Sequence, residues 1–170
     1  IMFVQGAAVG ARVYGAGHPE WAANRANHGR MCWASGRLDE AERHLTEAAD
    51  AYARLGAQSR PDQAACLLSL GRVLLARGDD ARAAAVLVDA ATVYEAAWWR
   101  GASGLDRSLV VDSPYGLLAI ANLRLGRDAD AFDAVLNHAG RTIEAAAGVQ
   151  VTPARRAERD TLVARIARCE

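Results

Sequence analysis

The chain has 170 residues, 52% of them apolar, and its 20 basic side chains balance 20 acidic ones. That length suffices for one domain with a sizeable core, and zero net charge argues against a general nucleic-acid or acidic-membrane binder. No apolar run reaches the roughly 18 residues needed to cross a bilayer, and no signal-peptide layout is readable. All 20 basic residues are Arg, and there are 39 Ala, a composition of GC-rich bacterial coding sequence rather than of any mechanism. Cys32, Cys66 and Cys169 lack CxxC spacing, which fits free or buried thiols in a reducing cytoplasm.

Residues 1–14 read as a helix, because stepping back 42 positions from Ala49, Ala53 and Leu55 lands on Ala7, Ala11 and Val13. They resemble the second half of a preceding repeat, so a longer array or a larger parent protein is expected. A helix over 19–35 follows, with Pro19 in its first turn and Gly36 after its end. Residues 38–55 carry a stripe of Ala41, Leu45, Ala48, Tyr52 and Leu55 at helical spacing, with Glu40/His44, Arg43/Glu47 and Asp50/Arg54 as i,i+4 pairs on the wet side. Residues 60–77 repeat the pattern, with Pro61 placed 42 after Pro19. Residues 79–99 are apolar nearly all round, which predicts a helix covered on both flanks. Residues 100–113 break the period as a surface insertion or a functional lid. Helices are then expected over 114–125, capped by Ser113-Pro114; over 128–147, with Phe132, Leu136, Ala139, Ile143 and Ala146 as its stripe; and over 153–169, opened by Thr152-Pro153.

One four-point pattern organises these helices. Gly29, Gly36, Ala41 and Ala48 recur 42 residues later as Gly71, Gly78, Ala83 and Ala90, and 48 further on as Ala119, Gly126 and Ala131. Leu45, Leu87 and Val135 follow each alanine by four. Glycine inside a helix costs about 1 kcal/mol against alanine, and close approach of a partner helix is the natural compensation. The period predicts an all-α solenoid of antiparallel helix pairs in a single domain, with repeats at 19–56, 60–99 and 114–148 and a half-repeat at each flank.

The run from Gly17-His18-Pro19 through Gly56, and its copy from Arg60 to Ala90, resemble tetratricopeptide repeats, in a long 42-residue variety like that of kinesin light chains. The third copy is degenerate, with Ala119 for the first glycine and His138 for the last alanine. The resemblance implies a right-handed superhelix and a non-catalytic scaffold that binds a protein or peptide in a concave groove, as in bacterial regulatory and signalling proteins. It also implies that the first helix of each repeat lines that groove. Asn27 and Arg30 then stand one repeat from Ser69 and Arg72, with Arg124 a turn out of register. Arginine forks suit carboxylates, so an acidic segment or a free C-terminal carboxylate is the expected partner. The competing reading is that these arginines pair with local acidic side chains on a solvated face.

Trp98 and Trp99 either mark a contact surface, which would allow homo-oligomerisation, or cap the core beneath the insertion. His28 and Cys32 sit one turn apart, but two ligands do not make a metal site and Cys66 is the only obvious third; they read as packing residues. Glu42, His44 and Glu47 read as a charged exterior. No catalytic motif is present, and GASG at 101–104 lacks the lysine of a phosphate loop. The arginines of 155–168 are diluted by Glu158, Asp160 and Glu170, so the last helix reads as a cap rather than a nucleic-acid contact. No enzyme activity, cofactor or metal is expected. The alternatives are self-association, or a small-molecule or enzymatic repeat protein using His28, Cys32 and the groove arginines.

Overall fold

The computed structural model describes residues 17–98, 113–147 and Thr161. The expected helices at 1–14 and 153–169, the 100–113 insertion apart from Ser113, Trp99 and the side chain of Trp98 lie outside the described residues. The chain divides into two compact units, residues 1–138 and 139–170. In the second, the described residues are the end of one helix and Thr161.

The described structure is all-helical, as the period requires. The helices are α1 (Pro19–Ala34), α2 (Leu38–Leu55), α3 (Arg60–Arg77), α4 (Asp80–Trp98), α5 (Tyr115–Arg124) and α6 (Asp128–Ala147), with a single 3-10 turn at Ala57–Ser59 between α2 and α3. His18 caps α1, its Nδ1 accepting from the Glu20 N–H at 3.2 Å, and Pro19 fills the first helical position, where no donor is needed.

One turn is built three times. Gly36, Gly78 and Gly126 adopt φ of +74°, +78° and +68°. Each glycine N–H donates three residues back, to Trp33, Leu75 and Leu123 at 2.9, 3.1 and 3.1 Å. The next N–H donates five back: Arg37 to Cys32, Asp79 to Leu74 and Arg127 to Asn122, at 2.9, 3.0 and 2.9 Å. This is the paired closure of a helix C-terminus that needs a left-handed residue, a conformation costing other residues roughly 1–2 kcal/mol. The carbonyls of Arg37, Asp79 and Arg127 then accept from Ala41, Ala83 and Ala131 and start the return helix.

The first glycine of the pattern and the leucine four residues after its first alanine set how closely the helices pair. A Cβ on Gly29 would lie 2.7 Å from Leu45 Cγ, and one on Gly71 would lie 2.6 Å from Leu87 Cδ2. Both leucines are fully buried. In the third copy Ala119 is buried in place of glycine, and Val135, the counterpart of Leu45 and Leu87, is 50% exposed. A methyl at this point occupies the space the leucine needs, so the knob is lost together with its socket.

The largest apolar cluster runs from Cys32, Ala41 and Leu45 through Leu68, Val73, Leu74 and Leu87 to Leu118, Ala121 and Ala134. A second gathers Ala22, Ala26, Ala48, Tyr52 and Cys66 where α1, α2 and α3 meet. Tyr94 and Tyr115 meet edge to face at 6.5 Å, and the Tyr115 hydroxyl donates to Glu95 at 2.9 Å, tying α5 to α4. Arginines bridge the hairpins at their turn ends. Arg77 binds Asp39 and Glu42, Arg82 reaches Glu42 at 2.6 Å, and Arg124 reaches Asp80 at 3.2 Å and the Leu75 carbonyl at 3.1 Å.

Three expectations need correction. α4 has α3 and α5 as neighbours, yet its apolar surface is not covered all round: Ala83, Ala84, Leu87, Ala90 and Ala91 are buried, whereas Ala81 and Ala85 are exposed and Val88 is 51% exposed. On α6 the buried positions are Ala131 and Ala134, whereas Phe132 is 61% exposed and Ala139 is exposed. Ala134 shares the apolar cluster of Leu118 and Ala121, so α6 turns an alanine face to the core and Phe132 to solvent; the side chains of Ile143 and Ala146 lie outside the described residues. Ser113 does not cap α5: Pro114 holds that position, and the buried Ser113 Oγ has no hydrogen-bond partner.

In an exposed helix Gly71→Ala would stabilise by about 1 kcal/mol. Against Leu87 it should instead destabilise the protein by roughly 1–3 kcal/mol. Adding Leu87→Ala should relieve part of that cost, so urea-denaturation free energies of the two single variants and the double variant should be non-additive.

Candidate functional site

Asn27 and Arg30 are exposed on α1, and Arg30 Nη1 donates to Asn27 Oδ1 at 2.8 Å. Ser69 and Arg72 are half-buried on α3, which touches α1 directly. The Ser69 hydroxyl donates to the Ala65 carbonyl of its own helix at 2.8 Å. Beneath this face lie two buried groups within electrostatic reach of Arg30. Burial pushes the Cys66 thiol up to about 12. Burial, with Asp62 nearby, pushes the Tyr52 phenol up to about 12 as well. Neither is an activated nucleophile near neutral pH. Arg124 stands apart from the other four: its guanidinium is held by Asp80 and the Leu75 carbonyl, locking the third hairpin to the second.

A second constellation lies inside the first hairpin. His44 is 4% exposed and stacks on His28, with ring centroids 4.7 Å apart and planes 19° from parallel. Its Nδ1 lies 3.0 Å from Arg25 Nη1 and its Nε2 lies 3.3 Å from Arg43 Nη2. Arg25 packs over the Trp21 ring at 5.1 Å and pairs with Glu47 at 3.2 Å. Burial holds the His44 imidazole below the usual histidine range, and the charges of Arg43, Arg25 and His28 add to this while Glu47 opposes it. The His28 Nδ1 is buried without a hydrogen-bond partner. Cys32, Glu40 and His44 offer ligand atoms that all lie within 4.8 Å of one another.

This constellation corrects the reading of His44 as part of a charged exterior. The buried face of α2 takes in Ala41, His44, Leu45, Ala48, Ala51 and Tyr52, wide enough to draw the imidazole inward. It also replaces Cys66 as the third neighbour of His28 and Cys32, since Cys66 sits in the other cluster. The only sequence signal was the paired i,i+4 spacing of His28/Cys32 and Glu40/His44 on either side of Gly36.

Between α4, α5 and α6 lies a concavity of about 570 Å³, with Asn122 and Leu118 among its lining, Val88 and Tyr115 on its apolar side, and Arg127, Asp130 and Asp133 on its charged side. Among the described residues, no helix is long and apolar enough to cross a membrane.

The sequence profile of the tetratricopeptide repeat matches residues 20–96. The match takes in α1, α2, α3 and most of α4, and so both well-formed copies of the pattern. With the helical architecture it supports a tetratricopeptide-repeat fold, and such repeats generally mediate protein–protein interaction. No individual curated relative matches the chain.

The lowered His44 pKa has a definite sign. The unfolded imidazole, near 6.5, binds a proton more readily than the folded one. Stability is therefore complete above about pH 6.5 and falls as the pH drops below it. Urea midpoints at pH 7.5 and 5.0 should show this loss, and His44→Gln should flatten it. The Cys66 thiol should resist alkylation at pH 8 until denaturant unfolds the chain, as read by mass mapping of carbamidomethylated peptides.

Proposed function

We propose that the chain is a non-catalytic binding module that takes an acidic or carboxylate-ended protein segment along the face shared by α1 and α3. The observation that carries this reading is the exposed Asn27–Arg30 pair on α1 standing one repeat from Ser69 and Arg72 on the adjacent α3. Arg30 and Arg72 supply charge and planar donor forks, and Asn27 and Ser69 supply neutral polar groups suited to peptide backbone. Arg124 serves this surface indirectly, by holding the third hairpin against the second. The general role of tetratricopeptide repeats as scaffolds supports the reading.

The finer form of the proposal places the module in the cytoplasm of a bacterium, within a larger regulatory or signalling protein. Its support is compositional: arginine as the sole basic residue, abundant alanine, and cysteines without disulfide or CxxC spacing. A second reading, self-association, has its own support in the exposed Val88, Ile120, Leu123, Phe132 and Val135. Sedimentation velocity across a hundredfold concentration range separates the two, because assembly requires the sedimentation coefficient to rise with concentration.

A fluorescein-labelled peptide of alternating Asp and Glu with a free C-terminus is a suitable probe. Arg30→Ala and Arg72→Ala should each weaken its binding about tenfold, equivalent to roughly 1.4 kcal/mol, and added salt should weaken the wild-type complex. Unchanged fluorescence-polarisation isotherms in both variants would remove the proposed face.

A further inference from the structure

We propose that Cys32, Glu40 and His44 form a binding site for a divalent, thiolate-seeking transition-metal ion of the zinc class, with His28 beside them as the fourth donor. The donors come as two pairs, His28/Cys32 on α1 and Glu40/His44 on α2. Residues four apart on a helix are neighbours on one face. The reversal at Gly36 sets the two faces against each other, so the donors converge across the hairpin instead of along the sequence.

The donor set favours this class of ion. Thiolate, imidazole and carboxylate together suit zinc or cobalt(II), whereas magnesium and calcium prefer oxygen alone. Zinc bonds of about 2.0–2.3 Å in a tetrahedron place ligand atoms roughly 3.3–3.8 Å apart. The three ligand atoms lie within 4.8 Å of one another, so closure requires about 1 Å of side-chain movement. Glu40 supplies that freedom, because its side chain is 47% exposed and marks the route by which an ion reaches the buried Cys32. Thiolate and carboxylate together neutralise the dication, and the thiol proton leaves to solvent as the sulfur–metal bond forms.

One further observation points to a ligand, and a second shows how the site can be vacated. The buried His28 Nδ1 has no hydrogen-bond partner, though buried polar atoms are nearly always paired. The arginines now on the His44 ring have another acceptor in place: Arg25 and Arg43 both already contact Glu47, at 3.2 and 3.6 Å. A metal on one ring nitrogen displaces the arginine at that nitrogen toward the Glu47 carboxylate. Arg37, which holds both Glu40 oxygens at 3.1 and 3.2 Å, is the remaining competitor. The site lies inside the first hairpin, away from the α1–α3 face, and does not depend on peptide binding there. An ion would tie α1 to α2 between the Gly36 turn and the Gly29–Leu45 contact.

The test is titration of cobalt(II) into the full chain in a phosphine reductant after chelator treatment. One equivalent should produce a thiolate-to-cobalt charge-transfer band with tetrahedral visible bands. Glu40→Gln should weaken cobalt binding at least tenfold at unchanged helicity, and Cys32→Ser should abolish the charge-transfer band. Absence of the band in the wild type, its survival in Cys32→Ser, or an unchanged dissociation constant in Glu40→Gln would each overturn the proposal. If the buried Cys32→Ser fails to fold, thermal melts with zinc decide. Wild-type Tm should rise by about 5–10 °C at a hundredfold excess over Kd. Glu40→Gln should show less than half that rise, and equal rises would overturn the site.

Discussion

Two leucines pressed onto bare helix backbone set the spacing on which the rest of the molecule depends. Leu45 against Gly29 and Leu87 against Gly71 leave no room for even a methyl group. Small residues at a helix contact permit close approach, and this contact sets how near the two helices of a hairpin come. At that separation His28 and His44 can stack, Cys32 can face Glu40 across the turn, and each hairpin presents a dense ridge to the next. The dispersion gained by a buried leucine against backbone offsets the helix propensity lost at each glycine. The left-handed turns at Gly36 and Gly78 are the second half of the device, because they return the chain at the register that brings knob to socket.

The periodic part of this architecture is legible in the sequence. The helix over 38–55 and the one over 128–147 have the bounds read from their patterns, and the spacing from Gly29 to Gly36 to Ala41 marks the socket, the turn and the return helix. Those features are local, since glycine at a helix end and alanine one turn into the next report their own backbone requirements. What was not legible depends on partners from another helix. His44 looked like one half of a wet i,i+4 pair with Glu40; its burial follows from the width of the α2 core face, which a polar side chain conceals. Phe132 reads as core, yet α6 turns Ala131 and Ala134 inward and leaves the ring exposed. The amphipathic pattern gives a helix its period, but a neighbour chooses among faces of similar polarity.

The arginines divide into two kinds that sequence spacing did not separate. Arg77, Arg82 and Arg124 bridge successive hairpins at their turn ends, whereas Arg30 stays on the α1 surface with a neutral partner. The distinction follows from place: acidic side chains opening α2 and α4 sit beside the turns, so an arginine near a turn finds a carboxylate. Exposed pairs of this sort contribute at most about 1 kcal/mol each. They fix how one hairpin is set against the next more than they add to overall stability.

The third hairpin has the turn but lacks the knob, and that difference gives the array a polarity. In stacked repeats stability is close to a sum of intrinsic and nearest-neighbour terms. A unit with Ala119 for glycine and an exposed Val135 contributes a smaller intrinsic term than either copy before it. Among the described hairpins local opening is therefore easier at α5 and the start of α6 than in the two copies that keep both glycine and leucine.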